Sequence, residues 1–262
     1  MMMPQGLLSE GITRAATIRV DLPTAGALNG IFESIYTDDG LEILADIPVA
    51  SGTTDYTQFI IAAQDSGAEG VILPLGAQES IQVLRAAQQL APDLVFSGSL
   101  GTFSHADLES LGDFADQVVL NGSSVPATAD VPVVRAIVAD LAASGEESLQ
   151  LENLKTSPMR SWIGLYALLQ IIRSADTDDF SRSNLVALIE ASGPIDMLGL
   201  TDDWTPLTNN PGNFPRTGNG HYGFWRWDAA ANDGDGDLVQ ASEANFVTTV
   251  CGSAVGGPAG TC

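Results

Sequence analysis

Short β-rich runs alternate with apolar-periodic segments from Ala15 to Leu120, and this rhythm sets most of what the chain can fold into. The runs Ala15–Asp21, Leu41–Pro48, Gly70–Leu73 and Leu94–Gly98 have the length and composition of strands. Between them, Ala25–Ile35, Tyr56–Asp65 and Gln78–Leu90 carry apolar residues at helical spacing. Strand–helix–strand repeats build a parallel sheet covered on both faces, and such sheets hold ligands at the carboxyl ends of their strands. The spacing predicts an α/β domain whose working surface is a set of loops. A fifth strand is expected at Gln117–Leu120, followed by Asn121-Gly122-Ser123-Ser124 and two prolines, Pro126 and Pro132.

Those loops are rich in hydroxyls and backbone groups and poor in reactive side chains. Thr24–Gly26 follows the first strand, Pro74–Gln78 the third and Ser97–Thr102 the fourth. Such loops suit reversible recognition through hydroxyl and peptide N–H groups, with helix N-termini available to a carboxylate. They offer no nucleophile beside a base. The first strand is not followed by Gly-x-Gly-x-x-Gly, and no Walker-type Lys-Ser/Thr occurs. His105 and His221 stand outside zinc-ligand spacing, and Gly98-Ser99-Leu100-Gly101 lacks the spacing of a nucleophile elbow. In Asn232–Asp237 the aspartates alternate with glycines, but a calcium-loop register begun at Asp233 puts Leu238 where glycine is needed and Ala244 where glutamate is needed. That segment is expected to be a solvated turn. The residues point to binding without catalysis, and no metal or cofactor is expected.

After Pro132 the rhythm changes. Val133–Leu141, Met159–Ile172 and Phe180–Ile189 are three helical segments with few intervening strands, so they lack partner strands of their own. A polar Pro- and Gly-rich stretch, Thr201–Gly220, leads to the alternating aromatic run His221–Trp227; a turn over Ala229–Gly236 and the run Asp237–Gln240 complete a terminal hairpin.

Thirty-three acidic residues stand against 10 basic ones, a formal charge of -23 that opposes nucleic acid and anionic membrane surfaces alike. The longest apolar stretch, Trp162–Ile172, is too short to span a bilayer. The opening Met1–Gln5 lacks the basic start and apolar core of an export signal. Cys251 and Cys262 bracket a Gly-rich tail, and a disulfide between them is expected in an oxidising compartment, stabilising the tail by about 3 kcal/mol.

Several segments together resemble a known family. Thr53-Thr54-Asp55-Tyr56-Thr57-Gln58-Phe59 followed by Ala68-Glu69-Gly70-Val71-Ile72-Leu73, then Phe96-Ser97-Gly98-Ser99-Leu100-Gly101, and finally Gly223-Phe224-Trp225-Arg226-Trp227-Asp228, are similar in order and spacing to the type I extracytoplasmic solute-binding proteins of ABC transporters, the branched-chain amino acid-binding group. The resemblance runs from about Gly11 to Gln240. It implies a two-lobed α/β protein, joined by three crossovers, that closes on a small solute and delivers it to transporter permease subunits. Residues 12–122 would form one complete lobe, 123–221 the carboxyl portion of the other, 222–248 a returning hairpin and 249–262 a tail. The amino-terminal half of the other lobe and the export signal would then precede this chain, and the full-length parent would be extracytoplasmic and monomeric.

The resemblance also implies a ligand set. Ala25 stands where amino-acid binders often carry an aromatic residue, and Leu75 to Ala77 where another aromatic can cover the ligand. Leu100 stands where they use an acidic residue against the ligand's ammonium. Losing that carboxylate costs an α-amino acid about 2 kcal/mol. The expected binding residues are Thr24, Ala25, Leu75, Ala77, Ser97, Ser99, Leu100 and Thr102. Amino acids or related small organic solutes are the expected cargo of the uptake system, and the missing carboxylate points to an amide, a small organic acid, an aromatic or another compound with a different head group. A sensory or receptor ligand-binding module of the same fold is the alternative.

Overall fold

The computed structural model describes residues 3–122, 124–145, 156–200, 203–205 and 221–245. Seven strands form one sheet in the order β2-β1-β3-β4-β5-β6-β7. The first five are β1 (Arg14–Val20), β2 (Glu42–Val49), β3 (Gly70–Ile72), β4 (Val95–Ser99) and β5 (Val118–Gly122), all parallel. β6 (His221–Asp228) returns antiparallel to β5, and β7 (Asp237–Asn245) lies beside it. Strand burial follows place in the sheet: every residue of β3 and β5 is buried, whereas β2, at the margin, exposes Glu42, Asp46 and Pro48. Ala15 pairs with Ile43 and Ala16 with Ala45, so Leu44 is the extra residue of a bulge on β2.

The helices α1 (Met3–Ser9), α2 (Pro23–Asp38), α3 (Thr57–Asp65), α4 (Ala77–Leu90) and α5 (His105–Glu109) cover this sheet. α2 starts two residues before the periodicity suggests, because Pro23 supplies a preset φ at a position whose N–H has no intrahelical partner. α5 opens on a reciprocal cap, in which the Ser104 hydroxyl accepts from the Asp107 N–H and the Asp107 carboxylate accepts from the Ser104 N–H. A 3-10 helix, Gly112–Gln117, leads into β5.

α1 has no counterpart in the sequence reading, which begins its first lobe at residue 12. It packs on β3, β4 and β5 and buries Pro4, Gly6 and Leu7. Leu7 meets Ala15, Tyr36, Leu41 and Ile72 in one core cluster, with Phe32, Ile43 and Val95 packed against it. Phe96 and Phe114 meet with ring centroids 6.0 Å apart.

Two compact units emerge. The first comprises the residues up to Gly122 together with Tyr222–Ala244; the second comprises Ser123–His221 and the residues from Asn245 onward. Within the first, the turn before β7 is fastened to α5: His105 Nε2 lies 2.9 Å from the Gly236 carbonyl, and its ring meets the edge of Trp227 at 4.6 Å. His105 is thus engaged in packing within the first unit.

In the second unit the described residues hold α6 (Pro132–Ser144), α7 (Thr156–Ser174), α8 (Arg182–Ala191) and a single antiparallel bridge between Ile195 and Trp204. α7 buries Met159, Ile163, Ala167 and Ile171, a one-sided stripe at four-residue spacing. α8 buries no residue fully. Asp179 Oδ1 accepts from the Ser181 N–H, which holds Phe180 outside the helix that the periodicity places it in. An apolar groove of about 480 Å³ runs along α7 past Ile163, Gly164, Leu168 and Met197. No helix among the described residues is long and apolar enough to cross a membrane.

Candidate functional site

Because β1, β3 and β4 are neighbours in a parallel sheet, their carboxyl ends lie side by side, about 5 Å apart from strand to strand. The loops leaving them bring most of the sequence-selected residues to one edge of the first unit. Thr24 and Ala25 open α2 after β1; Thr24 is exposed and Ala25 half-buried. After β3, Leu75 is buried and Ala77, the first residue of α4, is half-buried. After β4, Ser99 and Thr102 are half-buried and tied in a turn, the Thr102 N–H donating to the Ser99 carbonyl at 2.9 Å.

Ser97 and Leu100, like Leu75, are buried. Ser97 is fully buried, and its hydroxyl donates to the Met3 carbonyl at 2.6 Å. It lies inside the strand, two residues before the strand end, so its side chain anchors α1 instead of facing a solute at the sheet's edge. Leu100 is 5 % exposed, with its N–H donating to the Asn121 carbonyl at 2.7 Å. It packs into the base of the loop.

Three polar residues at this edge escaped the sequence reading. Asn121, at the end of β5, is buried and donates its side-chain amide to the Gly98 carbonyl, tying β5 to the β4 loop. Its signal was an amide closing an apolar strand, where burial demands a partner. Ser80, in the first turns of α4, is fully buried and its hydroxyl has no partner among the described residues. Arg19, near the end of β1, forms a two-pronged pair with Asp46 of β2, Nε to Oδ1 at 2.7 Å and Nη2 to Oδ2 at 2.6 Å. Nothing in local periodicity marks that pair, since its partners are 27 residues apart.

None of the eight expected residues carries a charged side chain. Near its rim, Tyr56 is held above the ordinary tyrosine range, first by burial and then by the Glu79 carboxylate. Among the described residues no group of three or more His, Cys, Asp or Glu is gathered as for a metal ion. The aspartate-rich turn contains a short 3-10 helix, Asn232–Gly234, with Asn232 and Asp233 at positive φ. Cys251 and Cys262 lie outside the described residues.

Solved structures share this architecture. A leucine-, isoleucine-, valine-, threonine- and alanine-binding protein from Brucella ovis superposes with a TM-score of 0.71 at 12% identity, over 94% of this chain and 61% of its own. A fatty acid ABC transporter substrate-binding protein from Thermomonospora curvata gives 0.70 at 16% identity, over 95% and 63%. A solute-binding protein from R. palustris, in complex with 4-hydroxybenzoate, gives 0.68 at 13% identity, over 93% and 63%. This chain therefore spans less than two thirds of the length of these structures. Among curated proteins none matches. The family model described as periplasmic binding protein matches residues 5–218, most of the sequence, and the chain belongs to that family.

Proposed function

We propose that this chain is the solute-binding part of an extracytoplasmic component of an ABC-type uptake system, taking small organic solutes. The observation that carries the reading is the alignment of three adjacent strand ends. They gather Thr24, Ala25, Ala77, Ser99 and Thr102 at one edge of a parallel sheet, where such sheets hold ligands. Membership of the periplasmic binding protein family supports it. The set holds no nucleophile–base pair, which supports a solute held and released unchanged. Delivery to transporter permease subunits follows from the same reading.

The solute's chemistry is read from what the gathered residues lack. With Leu100 buried and those five residues uncharged, they offer an ammonium head no ionic partner of their own, and the one carboxylate in the first turn of α4 is that of Glu79. Hydroxyls and peptide N–H groups instead suit a carboxylate, amide or phenol. Relatives of this fold include proteins named for amino acids, for fatty acid and for bound 4-hydroxybenzoate. The uncharged set here sides with the last two kinds.

Calorimetry and thermal shift of the 262-residue chain against leucine, isobutyramide, 4-hydroxybenzoate and dodecanoate test this. A saturable response to one of the three non-amino-acid probes is expected, weakened at least tenfold in Thr102→Val or Ala25→Trp. Tight leucine binding unaffected by either substitution would place the site elsewhere.

A further inference from the structure

We infer that Arg19 is a positioning residue for the amino-terminal turn of α2, so that Thr24 and Ala25 take their place from an ion pair spanning β1 and β2. The inference rests on the solute-binding reading only in what those two residues are for.

Arg19 touches three separate pieces of structure. Across the sheet, Thr17 pairs with Asp46 and Arg19 with Pro48, so the guanidinium reaches diagonally back by two residues to Asp46. The contact is two-pronged, at 2.7 and 2.6 Å, and only 11% of the Arg19 side chain and 33% of the Asp46 side chain are exposed. Such a fork fixes the plane of the guanidinium, which a lysine ammonium cannot do. The third nitrogen, Nη1, donates to the Val20 carbonyl at 3.0 Å, and that carbonyl also accepts the Leu22 N–H at 3.0 Å. Arg19 is therefore bonded to the turn that leads out of β1.

The third contact is with α2 itself. A Cβ placed on Gly26 would lie 3.1 Å from Nη2, 3.5 Å from Cζ and 3.7 Å from Nη1. The first turn of α2, where the Gly26 N–H donates to the Leu22 carbonyl at 3.0 Å, rests on the guanidinium. Close approach explains this glycine. A fixed guanidinium gives a fixed floor, and the residues just before Gly26 are Thr24 and Ala25.

Hydrogen exchange of the 262-residue chain without solute tests the idea, read in the peptide spanning residues 22–31 and compared with β4 and α4. Arg19→Lys and Asp46→Asn should each speed exchange in that peptide at least tenfold and leave β4 and α4 unchanged. The swapped pair Arg19→Asp/Asp46→Arg should regain the thermal midpoint without regaining protection there, because the contacts to Val20 and Gly26 are lost. Gly26→Ala, which leaves both charges in place, should give the same local loosening. Unchanged exchange in Arg19→Lys or in Gly26→Ala, or a swap that restores both midpoint and protection, overturns the inference. Solute affinity is measured separately: faster exchange in Arg19→Lys with unaltered affinity would defeat the solute-site reading while leaving the positioning role intact.

Discussion

Replacing Ser97 by alanine separates the two roles this residue could have, because one predicts lost affinity and the other lost stability. Its hydroxyl donates to the Met3 carbonyl at 2.6 Å from a fully buried position, so removal forfeits one intramolecular hydrogen bond, about 1 kcal/mol net. The same hydroxyl also limits Gly6, where a Cβ would sit 3.0 Å from Ser97 Oγ and 3.1 Å from Val119 Cγ1. Gly6→Ala in the intact protein sets a helix-propensity gain of about 1 kcal/mol against overpacking of about 1–3 kcal/mol. The crowding is expected to win, by about 1 kcal/mol. In the Ser97→Ala background one of the two close contacts disappears, so Gly6→Ala should cost less there, with a coupling of about 0.5–1 kcal/mol. Urea unfolding followed by circular dichroism measures all four proteins, and a loss of 1 kcal/mol corresponds to a midpoint lower by about 2–4 °C on heating. A neutral Ser97→Ala, or a Gly6→Ala that stabilises by the full helix-propensity gain, would show that α1 does not rest on β4 as described.

Burial holds the Tyr36 hydroxyl above the ordinary tyrosine range. The folded state thus keeps a proton that the unfolded state gives up above about pH 10, and stability should fall as pH rises past that point, by up to about 1.4 kcal/mol per pH unit from this group. Absorbance at 295 nm should show Tyr36 ionising only as the chain unfolds; ionisation in the folded chain near pH 10 would contradict its burial. Gly236 has φ +78, and a Cβ there would lie 2.3 Å from Trp227 Cζ2, so Gly236→Ala should cost at least about 2 kcal/mol and alter the near-ultraviolet dichroism of Trp227. An unchanged spectrum and midpoint would refute that packing. Ser104→Ala removes half of the reciprocal cap on α5 and should cost about 1 kcal/mol, while Ser104→Thr, which retains the hydroxyl, should cost less. Equal losses in the two variants would show that the cap contributes nothing.

The strands that the sequence makes legible are those whose burial follows from short-range pattern. Val71-Ile72-Leu73 reads as a central strand because its side chains are all apolar, and β3 is buried throughout. Helix boundaries were less legible where a proline or a local side-chain bond decides them, as Pro23 does for α2 and the Asp179 carboxylate for α8. α1 escaped because its seven residues are too few for periodicity to register, and its place comes from Gly6 meeting Ser97 and Val119, about 100 residues away, and from Leu7 joining Ala15, Tyr36, Leu41 and Ile72. The same holds for the candidate site. Strand order follows from the βα rhythm, so the loops carrying Thr24, Ala77 and Thr102 could be chosen from sequence. Which hydroxyl faces outward could not, because the partner of Ser97 is 94 residues distant. Arg19 and Asn121 were hidden for that reason too, since pairing across strands leaves no mark on the neighbouring sequence.

The first unit is discontinuous, its sheet being completed by β6 on β5 only after an excursion of about 100 residues, from Ser123 to His221. This imposes an order on synthesis. Before β6 has left the ribosome, Leu120 and Asn121 lack the strand that will carry Trp225 and Phe224 opposite them, and α1 lacks the Phe224 ring that packs beside Gly6. Closing a loop of this length costs about 4 kcal/mol in chain entropy, with a weak dependence on length. A nascent chain stalled near residue 200 would therefore leave the edge of β5 unpaired at Leu120, Asn121 and Gly122, the kind of edge to which holding chaperones bind.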